Sequence, residues 1–429
     1  MLNVQIITVF LLLLIIGLLI YIAFFKKNEC PSTGSDVKSK LSSYSEAGSY
    51  TDCNQYMSKS GCNNSKLNCD WDSNSNSCSS SDGGGGGGGG GGGLSPPPPP
   101  QPSGSINIIG LDGSAKNWVF MLKLGSGGNN CSKNGSVYSC KFLYADSDNP
   151  SLQMVNSFTV DSSNVKNPAY QLYQLAQKNS WVSWNDQGGS SCNGASGYAH
   201  DKGIIVYNNN EGIYCQHSNP NWGFFDSNFT SGNGKTPGIQ TELAQHLLFV
   251  KLATSNDISN MVSLMNQANV CLLGGSIKGF IPCVKSGSCS SDYLQKSING
   301  LSIIAKPKGQ KGDDVWGYLN KQYCDSNGMN LGTYCSPKCP LGNGESINSI
   351  NNIKDVHNEH SGGSFLNTNC KLSFDNFSAN HSKIGVCLNN NTVIVGGNNH
   401  STESQGARGG LFVVLKSNQL AADFKCLFA

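Results

Sequence analysis

Charge is what this chain has least of: of its 429 residues, 13% are Asp, Glu, Lys or Arg, and the formal net charge is +2. So thin and balanced a charge excludes a grip on nucleic acid through bulk electrostatics, and any anion binding must be local. Metal-site patterns are scarce too. Most of the 18 cysteines are scattered rather than set in CxxC pairs, and "HNEH" at His357 to His360 lies in a polar stretch without the helical HExxH spacing. Disulfides therefore suit the cysteines better than zinc, which points to an oxidising compartment. One long apolar run stands out, "IITVFLLLLIIGLLIYIAFF" at Ile6 to Phe25. It is long enough to cross a bilayer as a helix, and it lacks both the basic leader and the small-residue cleavage site of a signal peptide. An uncleaved single-pass anchor over 4–25 is expected. Its orientation is contested, because Lys26 and Lys27 after the span favour a cytoplasmic bulk while the cysteines ask for a lumenal, extracellular or virion setting.

Behind the anchor, residues 28–82 carry Cys30, Cys53, Cys62, Cys69 and Cys78 among Ser and Asn, too few apolar groups for an unaided core. A small disulfide-stapled module or plain disorder fits this stretch. The segment 83–104 then holds a polyglycine run (Gly83 to Gly93) and a proline run (Pro96 to Pro102), a flexible tether followed by a stiff spacer. That is a domain boundary. Over 105–429, β-rich runs such as "NWVFMLKL", "GIIVYN", "HLLFVKL" and "GLFVVLK" alternate with amphipathic stretches such as "NPAYQLYQLAQ" and "SNDISNMVSLMNQA", which predicts a mixed α/β domain.

Two short motifs in that domain are built for chemistry. His200 and Lys202 open one predicted strand, and His381 and Lys383 open another. In extended chain, residues i and i+2 point to one side, so each pair sets an imidazole beside a fixed cation. Each motif feeds a strand and then a polar turn, "HSNP" in one case and "GGNN" in the other. The pattern reads as a duplicated half-site, or as two unrelated surface pairs.

The chain resembles the deoxyribonuclease II family through eight blocks in order: "NWVFMLKL", "FLYADSDNP", "WNDQ", "HDKGIIVYNNNEGIYCQHSNPN", "AQHLLFVKL", "IAKPKGQKGDDVWGYL", "NHSKIGVC" and "VIVGGNNHSTESQGARGG", spanning Asn117 to the C-terminus. The resemblance implies a phospholipase D-like pseudodimer, two α/β halves with their HxK motifs in one cleft. It also implies an endonuclease that cleaves DNA with no metal or other cofactor. His200, Lys202, His381 and Lys383 match the catalytic quartet. His217 and Asn399 match polar residues in the turns after the two motifs, and Asn208 stands where the family has Asp. Around Arg408 this chain carries one extra residue, and the match there is loose.

In the chemistry so implied, one neutral imidazole attacks phosphorus, His200 by analogy, while the other, protonated, donates to the leaving 5′ oxygen. Lys202 and Lys383 neutralise the nonbridging oxygens, and a 3′-phosphate is left. The competing readings are a catalytically inactive membrane-displayed attachment protein on the same fold, and a phospholipase D-like phosphodiesterase. Lesser expectations concern other residues. The loop from Lys306 to Asp314 contacts phosphate or is a solvated turn. Cys426 ties the C-terminus back near Cys335 or Cys339, and one of the thirteen cysteines from Cys131 onward stays odd within the domain. The tryptophans line core or cleft, and Asn63, Asn130, Asn134 and Asn228 head glycosylation sequons.

Overall fold

The computed structural model describes residues 69–72, 77–80, 104–125, 130–134, 137–159, 167–186, 198–220, 222, 243–282, 290–308, 315–325, 328–333, 353–355, 370, 372, 380–400 and 408–428. The chain divides into two compact units, Met1–Gly93 and Leu94–Ala429. In the first, strands β1 (Cys69–Asp72) and β2 (Ser77–Ser80) form an antiparallel pair. The expected anchor over 4–25, and nearly all of the Cys-rich segment and linker, lie outside the described residues. Among the described residues no helix is long and apolar enough to cross a membrane.

The second unit is mixed α/β. It opens with a short hairpin, β3 (Ile108–Ile109) and β4 (Ala115–Lys116), and holds two large sheets. The first is formed by β5 (Trp118–Lys123), β6 (Cys131–Asn134), β7 (Val137–Asp146), β8 (Gln153–Thr159), β9 (Ser180–Asn185), β10 (Lys202–Tyr207), β11 (Gly212–His217), β12 (Gln245–Leu252) and β13 (Leu272–Gly275). The second is formed by β14 (Leu294–Ile298), β15 (Leu301–Lys306), β16 (Met329–Thr333), β17 (Ile353–Asp355), β18 (Lys383–Cys387), β19 (Thr392–Gly396) and β20 (Gly410–Lys416). The order β9-β10-β11-β12-β5 in one sheet is matched by β16-β18-β19-β20-β15 in the other. The match extends to single residues. Lys202 pairs with Asn185 and Lys383 with Thr333, while Lys123 lies opposite Gln245 and Lys306 opposite Gly410.

Near-continuous apolar strands make sense because both faces of each sheet are covered. On β5, Phe120 and Leu122 enter the core that the two sheets share, whereas Val119 and Met121 face a second core that includes Leu172 of helix α1 (Pro168–Ala176). The shared core also takes Met261 and Met265 of α2 (Ser255–Ala268) and Leu420 and Phe424 of α4 (Asn418–Leu427). The outer face of the second sheet packs on Trp316 and Leu319 of α3 (Val315–Tyr323). Local chemistry fixes the helix ends. Thr254 and Asp257 form a capping box at the start of α2, Asn269 ends it in left-handed conformation, and Ser417 caps α4.

Disulfides join Cys131 to Cys140, Cys324 to Cys387 and Cys370 to Cys426, and Cys271 is also oxidised. These bonds indicate an oxidising compartment. Cys426, in the last turn of α4, reaches Cys370, so the expected tie to Cys335 or Cys339 is corrected. Cys215 keeps a buried free thiol. Asn130 is 1% exposed, so folded chain leaves no room for a glycan there. That sequon is set aside, and the side chains of Asn63, Asn134 and Asn228 lie outside the described residues. The "HNEH" stretch lies outside them too.

Candidate active site

Both HxK motifs stand where their strands begin. Lys202 is the first residue of β10 and Lys383 the first of β18, and each histidine sits two residues earlier. The two motifs meet. The electrostatic neighbours of His381 include Lys383, Lys202 and His200, and those of His200 include Lys202 and Lys383. All four residues are buried.

What holds the rings is main chain from the opposite sheet. The Nδ1 of His200 lies 2.7 Å from the carbonyl oxygen of Gly397, which follows β19, and the Nδ1 of His381 lies 2.6 Å from that of Ser218, which follows β11. A carbonyl oxygen can only accept, so both Nδ1 atoms carry hydrogen, and in the neutral ring the lone pair is then on Nε2. The backbone repeats the exchange: His200 N donates to Gly409 O at 2.9 Å, and His381 N to Ala244 O at 2.7 Å. Asp201, between His200 and Lys202, adds a further cross-link by accepting from Leu411 N of the second sheet and from the indole of Trp184. Burial nevertheless pushes its carboxyl up to about 7.

The two half-sites are not identical. Asp186, just past β9, accepts from the Nζ of Lys202 and from Nη2 of Arg408 at 2.9 Å, and its Oδ2 lies 3.7 Å from Nε2 of His200. Burial would raise this carboxyl, but the charges of Lys202, His200 and Arg408 hold it well below the usual carboxylate range. Arg408 is itself fixed by the carbonyls of Tyr198 and Ala199. In the other half, Lys383 Nζ donates to the carbonyl of His381 at 2.7 Å. Burial pushes His200 down to about 3 and His381 well below 6.5, with the lysines acting in the same direction.

The supporting residues expected from sequence divide. His217 ends β11 with its Nδ1 accepting from Asn219 N, its ring edge-on to Trp222 and its Nε2 without a partner among the described residues. Lys202 and Asp186 are among its electrostatic neighbours, so it borders the site. Asn399 lies two residues past Gly397, half-buried, its Oδ1 likewise unpartnered. Asn208 does not join them. It stands at the far end of β10, in the turn to β11, where its Oδ1 caps the amides of Asn210 and Glu211. An extended strand from Lys202 to Tyr207 separates it from His200. Lys306 is fully buried with its Nζ on the carbonyl of Arg408, and residues 309–314 of the loop that it opens lie outside the described residues.

Several residues had no role in the sequence reading. Asp186 sat inside the quoted "WNDQ" and Arg408 in the loosely matched "GARGG". His246 sat in "AQHLLFVKL", and its Nδ1 accepts from Lys383 N at 3.2 Å. Among the described residues no group of three or more His, Cys, Asp and Glu is placed to hold a metal ion.

No curated protein matches the chain. Among solved structures, phosphatidylserine synthase from Haemophilus influenzae Rd KW20 aligns at 14% identity over 53% of this chain and 60% of its own, with a TM-score of 0.27. That likeness is too slight to establish a shared fold. The sequence model of Deoxyribonuclease II matches residues 109–429, an interval that holds both sheets and both HxK pairs, and the chain belongs to that family.

Proposed function

We propose that this chain is a metal-independent DNA endonuclease acting through a phosphohistidine, its two sheets being the halves of a phospholipase D-like pseudodimer. Family membership supports a nuclease. The observation that carries the finer reading is the crossed anchoring of His200 on Gly397 and His381 on Ser218, which fixes both rings through Nδ1 while the charges of Lys202 and Lys383 act on both. One neutral ring, His200 by analogy, attacks phosphorus; the P–N bond forms as the bond to the 5′ oxygen breaks. The protonated Nε2 of the other ring gives its proton to that oxygen. Water then attacks phosphorus, loses a proton to the same ring and displaces the first histidine. The strand is left with a 3′-phosphate on one side and a 5′-hydroxyl on the other. Lys202 and Lys383 meet the charge on the nonbridging oxygens, while Asp186 keeps Lys202 and Arg408 in place.

The test is digestion of DNA by the full chain with and without excess EDTA, followed by labelling with a kinase that needs a free 5′-hydroxyl. Fragments should accept label equally in both arms. Labelling that depends on added Mg²⁺ during digestion, or appears only after phosphatase treatment, rules out this route.

A further inference from the structure

Each sheet ends one interior strand on a buried lysine. Lys123 closes β5 and Lys306 closes β15, at equivalent positions in the two sheets, and both are 0% exposed. The Nζ of Lys123 donates to the carbonyl of Leu243 at 2.9 Å, and that of Lys306 to the carbonyl of Arg408 at 2.7 Å. In both places the very next carbonyl receives a histidine amide. Ala244 O accepts from His381 N and Gly409 O from His200 N. The relation therefore crosses between sheets, Lys123 of the first standing under His381 of the second and Lys306 of the second under His200 of the first.

Burying an ammonium is unfavourable, and here it lowers the lysine pKa values, to about 7 for Lys123 and about 8 for Lys306. A methionine of similar length would fill the space without that penalty, and replacing buried charge by apolar side chains is often neutral or stabilising. What the lysine adds is a fixed donor to that peptide group, with Lys306 Nζ also 3.5 Å from Pro307 O. Because that peptide is planar, pinning its oxygen also orients the following residue, whose own carbonyl holds the histidine. We propose that Lys123 and Lys306 are a symmetric pair of positioning residues, each setting the placement of the catalytic histidine contributed by the opposite sheet. The kinetic part of this inference rests on the nuclease reading; the geometric part does not.

The chain has only 7 histidines, so a histidine-selective ¹⁵N spectrum of the full-length protein can separate them. Lys123→Met should shift the ring and amide signals of His381 and leave those of His200 in place, and Lys306→Met should do the reverse. On DNA, each should lower kcat at least about tenfold while KM stays within about twofold, since alignment rather than binding is lost. Where a Met variant does not fold, the corresponding Lys→Gln variant, which keeps a neutral donor, is read by the same criterion. Unchanged spectra of both histidines in a folded variant, or both shifted alike by either substitution, overturn the inference, and unchanged kcat overturns its catalytic part. A wild-type chain that does not cut DNA would defeat the nuclease reading, while the crossed pattern of shifts would still decide the positioning role.

Discussion

The Nδ1–H of His381 and the main-chain oxygen of Ser218 lie 2.6 Å apart across two different sheets, and His200 makes the reciprocal bond to Gly397. Each imidazole is thus aimed by a turn that belongs to the other half. The turn at Gly397 tolerates no side chain, because a Cβ there would meet Asp201 Oδ1 at 2.1 Å and His200 O at 2.7 Å. Gly397→Ala should push the turn away from the His200 ring and lower kcat by about 10²-fold, the scale of a small misplacement of a reacting group. Near-normal turnover in a folded Gly397→Ala chain would show that this anchor does not matter.

His200→Ala and His381→Ala should each abolish DNA cleavage. Since the two rings act as one unit, the double variant should be no worse than either single one. Additive losses, or substantial turnover by one single variant at its best pH, would separate the two motifs into independent groups. Lys202→Ala and Lys383→Ala should lose about 10²-fold in kcat, as for removal of one donor to a developing oxyanion.

Acid should favour activity and oppose stability. Burial holds His200, His217, His246 and His381 below their ordinary 6.5, His200 at about 3. A histidine whose folded pKa is depressed contributes stability that is full above 6.5 and is lost as pH falls towards the folded value. Asp201 runs the other way: raised from 3.8 to about 7, it contributes fully below 3.8 and loses that contribution as pH rises to about 7. Four groups outweigh one, so Tm should fall between about pH 7 and pH 5. Over the same interval kcat/KM should rise, because the free enzyme needs one protonated ring and both rings resist protonation. Thermal melts and initial rates across that range check both signs, and a rising Tm or a steadily falling kcat/KM contradicts the assignment.

Asn208→Asp restores the residue type common in the family at that position, yet it should leave cleavage within about twofold of wild type. The side chain caps the β10–β11 turn, a role Asp fills as well as Asn. A marked gain in rate would mean that the turn communicates with His200 after all.

Much of the fold was legible in the sequence because periodicity is a local property. The apolar runs that became β5, β10, β12 and β20, and the amphipathic stretches that became α1 and α2, fall where composition and spacing put them. The duplicated HxK pairs were visible for the same reason, as was the likeness to the deoxyribonuclease II family. A position in a motif says which residue stands there, not which end of a strand it occupies, and Asn208 stands at the end of β10 away from Lys202. Cys426 misled, since thiols pair by proximity in space and Cys370 is the one that α4 reaches.

By itself, then, the sequence determined which residues could do chemistry: two imidazoles and two ammonium groups, each pair on one side of an extended segment, within a domain of alternating strands and helices. Only the tertiary structure decided what aims them. The anchors are carbonyl oxygens, which every residue has alike and which therefore leave no signal in residue type, and they lie 197 and 163 positions from the histidines they hold. The same is true of Asp186 and Arg408, ordinary charged residues 222 positions apart until two sheets with the same strand order bring them to one lysine and one ring.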